Sequence, residues 1–68
     1  MIIYLDHYLR GKGVIEKFDT FSSLDDLKVF MNNWLKEHNL TIVSKEYVGN
    51  SYWNYLNDGS ELDYTIEP

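Results

Sequence analysis

The stretch Ser22–Asn39, SSLDDLKVFMNNWLKEHN, is the one segment of the chain with the period of an α-helix. Apolar side chains fall at Leu24, Leu27, Phe30, Met31, Trp34 and Leu35, and His38 closes the row. Steps of three and four place these residues on one helical face. Asp25, Asp26, Lys28, Asn32, Asn33, Lys36 and Glu37 lie between them and belong outside, and only Val29 departs from the pattern, at the edge of the stripe. Ser23 with Asp26 fits a helix start, in which a hydroxyl accepts an orphan N–H and an acid occupies the first turn. Ser22 with Asp25 fits equally, so the start is open by one residue. Asn39 tolerates the left-handed conformation that ends a helix, and Lys36 suits its negative end.

Strands are predicted on both sides of this helix. Residues 2–9 (IIYLDHYL) are rich in β-branched and aromatic types, with Ile3, Leu5, His7 and Leu9 on one face and Ile2, Tyr4, Asp6 and Tyr8 on the other. Both faces carry large side chains, which suits an interior strand. A turn at Arg10–Gly13 leads into a second strand, 14–20, whose poor alternation suits a sheet edge. Strand three is read at 40–48, with Leu40, Ile42 and Val48 on one face and Val43 and Tyr47 on the other. Gly49-Asn50 marks a turn before strand four, 52–56 (YWNYL), and Asn57-Asp58-Gly59-Ser60 a stronger one before strand five, 61–67. Strand five alternates cleanly: Leu62, Tyr64 and Ile66 inward, Glu61, Asp63, Thr65 and Glu67 outward. The order is β-β-α-β-β-β. It predicts an α+β fold in which a mostly antiparallel sheet carries one amphipathic helix on one face. The other face should carry some of Tyr4, Tyr8, Tyr47, Tyr52, Trp53 and Tyr55.

The 68 residues suit one small domain, 1–68, near the lower size limit for folding alone. With no cysteine there is no disulfide or thiolate metal site to help. Aromatic residues, 16% of the chain, must supply the core instead. Homodimerisation is a second route to more buried surface. No apolar run approaches the roughly 18 residues of a membrane span, and no leader pattern opens the chain. The expectation is a soluble cytoplasmic protein with no membrane contact. The chain lacks alanine and glutamine and is rich in Asn, Asp, Lys, Tyr and Ile, a composition that suits an AT-rich genome. Together with the small size it suits a phage or other mobile element.

The net charge of −5 is unevenly spread. Residues 1–45 hold six acids and six bases, whereas residues 46–68 hold five acids (Glu46, Asp58, Glu61, Asp63, Glu67) and no base. Strand five lines three of the acids along one face, about 6.6–7 Å apart for every second residue. Two expectations compete. One is a solvated outer face on a terminal strand, where charge also blocks edge-to-edge aggregation. The other is an acidic row that imitates nucleic-acid phosphates and occupies the basic groove of a nucleic-acid-binding protein.

No chemistry-bearing motif stands out. His7 and His38 match no metal-ligand spacing, and a zinc site needs at least three protein ligands. No serine lies in a G-x-S-x-G context, and Gly11-Lys12-Gly13 is too short for a phosphate cradle. The strand-five carboxylates are expected to be exposed, without the burial that tunes a pKa. Neither enzyme activity, cofactor nor metal is expected. The run Tyr52-Trp53-Asn54-Tyr55 is either core or a flat anchor for a protein partner. Direct nucleic-acid binding is disfavoured because no Lys or Arg follows Lys45.

These observations predict a small acidic, non-enzymatic binding protein that inhibits or modulates a host protein, such as a nucleic-acid enzyme, by occluding its basic surface. Asp58, Glu61, Asp63 and Glu67 would meet that surface, and Tyr52, Trp53 and Tyr55 would supply apolar anchoring. The alternative is a structural or assembly protein that forms a homodimer through its aromatic strands.

Overall fold

The computed structural model covers Met1–Pro68. It contains strands β1 (Ile2–Leu9) and β2 (Gly13–Lys17), helix α1 (Leu24–Glu37), then strands β3 (Ile42–Val48), β4 (Ser51–Leu56) and β5 (Ser60–Glu67). The five strands form one antiparallel sheet in the order β2-β1-β5-β4-β3, and α1 packs on one face. This is the α+β architecture that the helical stripe and the strand pattern predict.

The helix starts where Ser23 supplies the cap. Its backbone is extended and its hydroxyl accepts from the N–H of Asp26 at 3.1 Å. Asp25 and Asp26 then lie at the positive end of the helix and Lys36 at the negative end. His38 is the C-terminal cap, its Nδ1 donating to the Trp34 carbonyl at 2.8 Å, and Asn39 takes the left-handed conformation at φ 56°. Leu27, Met31, Trp34 and Leu35 are buried, and together with Ile3, Leu5, Leu56 and Leu62 they make the core. Trp34 is held from three sides: His7 and Phe18 approach it edge-on and the His38 ring stacks on it at 4.0 Å.

Strand β5 is the middle strand of the sheet, with β1 on one side and β4 on the other. This corrects the expectation of a terminal strand with a solvated acidic row. The alternation itself is as predicted: Leu62, Tyr64 and Ile66 pack toward the helix, so Glu61, Asp63, Thr65 and Glu67 point to the other face. Solvent reaches those four unequally: Glu61 is buried, Asp63 and Thr65 are half-buried and Glu67 is exposed.

Strand β2 is an edge strand, as its weak alternation suggests, but it ends at Lys17 rather than Thr20. The chain beyond it stays attached through Phe18, whose N–H donates to the Leu5 carbonyl, and through a two-way bridge between Phe21 and Ile3. Strand β3, the other edge, contains an irregularity between Ile42 and Ser44. One extra residue reverses the phase of a strand. Ile42 therefore faces the helix, while Val48 faces away and Tyr47 lies on the helix side, a change from the predicted face assignment. The β3–β4 turn uses Gly49 at φ 59° with Asn50 at negative φ, the type II′ pattern that needs glycine first.

The helix α1 is not long and apolar enough to cross a membrane.

Candidate binding face of the sheet

One face of the sheet is covered by α1 and the other is open. The strand register places side chains across the open face in rows. Lys17, Asp6, Asp63, Trp53 and Glu46 form one row from β2 to β3. The adjacent row is Val14, Tyr8, Glu61, Tyr55 and Ser44. Of the β5 carboxylates, Glu61 thus lies between Tyr8 and Tyr55, and Asp63 between a third carboxylate, Asp6, and Trp53.

Tyr8, Arg10, Trp53, Tyr55, Glu61 and Asp63 line a shallow cleft of about 340 Å³ on this face. Four of the seven residues predicted for partner binding, Trp53, Tyr55, Glu61 and Asp63, meet here. The other three lie elsewhere. Tyr52 faces the helix side, where it stacks between Tyr47 and Tyr64. Asp58 belongs to the β4–β5 turn, accepting from the hydroxyl and the N–H of Ser60 at 2.5 and 2.9 Å. Glu67 is on the open face but at its far end, where the Tyr4 hydroxyl lies 3.4 Å from its carboxylate. Tyr8, Arg10 and Asp6 complete the cleft and its border. The sequence marks Tyr8 and Asp6 as sharing a face of β1, but nothing local places that face beside β5.

Glu67 is exposed, as the sequence predicts for the β5 carboxylates, but Glu61 and Asp63 are not. Glu61 is buried at 7% exposure, and Oδ1 of Asp63 is sealed from solvent with no hydrogen-bond partner. Burial first, then a hydrogen bond with Glu61 and the charges of Glu61 and Asp6, push the Asp63 carboxyl up to about 8. Protonation turns its contact with Glu61 from a repulsion into a hydrogen bond. Asp6 is raised as well, by burial, against the opposing pull of Lys17. The Tyr55 hydroxyl donates to Glu46 at 2.6 Å, and that hydrogen bond is the main reason the phenol is pushed up to about 12. The face therefore combines shielded acids, fixed phenols and one indole.

A second polar cluster lies on the helix side. The Ser60 hydroxyl is also 2.9 Å from His7 Nε2. Its single proton goes to Asp58, so Ser60 accepts from Nε2–H of His7. Serine, not histidine, is the bridging member, and Ser60 is 2% exposed. The cluster ties β1 to the β4–β5 turn. No group of three or more His, Cys, Asp or Glu side chains is arranged to hold a metal ion.

No protein-family model, curated protein or solved structure matches the chain. The class defined here is structural, a five-stranded antiparallel sheet with one helix, and a fold alone does not carry a function.

Proposed function

We propose that this is a small acidic binding protein that places the open face of its sheet on a basic surface of another protein and inhibits or modulates it by covering that surface. The observation that carries this reading is the cleft in which Glu61 and Asp63 are framed by Tyr8, Trp53 and Tyr55, with Arg10 as the one basic side chain of its lining. A Lys or Arg side chain entering it would meet aromatic faces, the carboxylate of Glu61 and the protonated carboxyl of Asp63 together. Cation–π contacts strengthen when desolvated, and Trp and Tyr are frequent binding hot spots. The acids sit low between rings rather than projecting as a row. Recognition by an inserted cation therefore accounts for them better than imitation of a phosphate backbone. Within this proposal the partner is a host protein with a nucleic-acid-handling groove, and the action is non-enzymatic occlusion.

The test is affinity capture from native host lysate with the wild-type protein, with Trp53→Ser/Tyr55→Ser and with Glu61→Gln/Asp63→Asn. One partner held by the wild type, lost with both variants and released by salt supports the proposal. A partner retained equally by both variants sinks it.

A second reading is favoured by the apolar margin of the same face. Ile2, Tyr4, Val14 and Val48 are 46%, 44%, 47% and 63% exposed and all lie on the open side. They suit a face-to-face homodimer. Sedimentation at low and high salt separates the two readings, because apolar self-association persists in salt.

A further inference from the structure

The free edge of β3 and a groove beside it, on the helix side of the sheet, form a second surface that shares no residue with the open-face cleft. Strand β3 has β4 on one side only. Val48 and Ser51 close the two-residue turn as a hydrogen-bonded pair, so alternate residues along β3 bond to β4. Lys45 and Tyr47 fall between them, and their N–H and C=O groups point to the outer edge. Both side chains lie on the helix side of the sheet. There a groove of about 260 Å³ opens between α1 and the sheet, its floor including Met31, Ile42 and Tyr64 and its lining including Lys28 and Lys45. Two of the six basic residues of an otherwise acidic chain thus converge on one groove, whose lining also includes the amides of Asn32 and Asn54. Tyr47, 73% exposed, ends the stack that runs through Tyr52 to Tyr64 with centroid spacings of 5.7 and 4.8 Å. The outermost ring of this stack stands at the free edge.

We infer that the β3 edge, with the Lys28–Lys45 groove above it, is a docking site for an extended acidic peptide segment of a partner protein. The segment adds as a sixth strand beside β3. Its backbone bonds to Lys45 and Tyr47, an Asp or Glu side chain reaches between the two ammonium groups, and an apolar neighbour packs on Tyr47. Edge addition of this kind takes affinity from the main chain and specificity from alternate side chains. A lysine on an edge strand ordinarily discourages pairing. Here it selects, because a basic strand is repelled and an acidic one attracted. A second copy of the chain fits poorly: the fullest symmetric antiparallel pairing of two β3 strands is centred on Lys45 and sets the two lysines opposite each other.

The experiment is selection of a displayed library of short random peptides against the wild-type protein, followed by anisotropy titration of synthesised binders. The expected binders carry one Asp or Glu among β-branched residues and shift the backbone amide signals of Lys45 and Tyr47. Lys28→Glu/Lys45→Glu, which leaves the backbone intact, should weaken them by about ten-fold or more and enrich basic sequences instead. Lys45→Pro removes the outward N–H and should abolish binding; amide spectra establish that this variant is folded before it is used. The inference is overturned if binders lack acids, bind the double-glutamate variant equally or shift Trp53 and Tyr55 rather than β3. It is also overturned if no peptide is enriched, or if β3 pairs with a second copy.

Discussion

Asp6 of β1 and Asp63 of β5 stand directly opposite each other in the interior of the sheet. Like charges in that position repel, and Glu61 on the same face adds to the repulsion. Burial first, then the contact with Glu61 and the charges of Glu61 and Asp6, hold a proton on Asp63, whose carboxyl is pushed from 3.8 up to about 8. Stability should follow. Between those two values the folded chain holds a proton that the unfolded chain releases, so stability is greatest at the acid end and falls as pH rises toward about 8. The upward displacement of Asp6 acts in the same direction. Urea unfolding followed by tryptophan fluorescence across that range should show a falling midpoint. Asp63→Asn, which mimics the protonated acid, should flatten the curve and exceed the wild type in mildly alkaline buffer. A midpoint that rises with pH would count against this account.

Asp58 titrates with the opposite sign. The Ser60 hydroxyl, then the Ser60 N–H, hold its carboxyl below the ordinary 3.8. Its contribution is present above 3.8 and is lost as pH falls through the lower folded value. Ser60→Ala removes the bridge to His7 and leaves its Nε2–H without that acceptor. A loss of about 1 kcal/mol is expected, the low end of the cost of an orphaned donor because His7 is only half-buried. Denaturant titration checks it, and a change within a few tenths of a kcal/mol would show that water replaces the serine.

The two serines before the helix are not equivalent. Ser23 caps α1, and the Asp26 N–H bonds to its hydroxyl. Ser23→Ala should cost about 1 kcal/mol, within the range of lost helix caps. Ser22→Ala should be close to neutral. Thermal unfolding of the pair by circular dichroism decides it, and equal effects would contradict the cap geometry.

Leu62 is fully buried beneath α1 at the centre of β5. Leu62→Ala should cost about 2–5 kcal/mol. Native domains have only about 5–15 kcal/mol in total and one this small sits low in that range, so much of the chain should then be unfolded. Amide exchange measured against the wild type reports it directly. Val29→Ala, at a side chain 61% exposed on the outer side of α1, is the control and should be nearly silent.

The sequence alone determined the helix, its start to within one residue, the strand count, the order of elements along the chain, and the inside–outside alternation of β1 and β5. These depend on neighbours a few residues apart: the steps from Leu24 to Leu35, the hydroxyl of Ser23, the positive φ at Asn39 and Gly59. Spacing also shows that Glu61 and Asp63 share a side and that residues 46–68 hold no base. Tertiary structure decided what those residues meet. Pairing β1 with β5 makes the C-terminal strand the middle one, and so brings Asp6 opposite Asp63 and Tyr8 beside Glu61 across more than fifty residues of chain. Local pattern cannot encode such a choice, because an alternating strand reads the same at an edge or in the middle. The irregularity in β3 likewise reverses which side Tyr47 and Val48 face, since one extra residue changes the phase of every later side chain. Periodicity thus separates the two faces of each element, while the pairing of distant strands sets which acids are shielded, which rings frame them and which edge is left free.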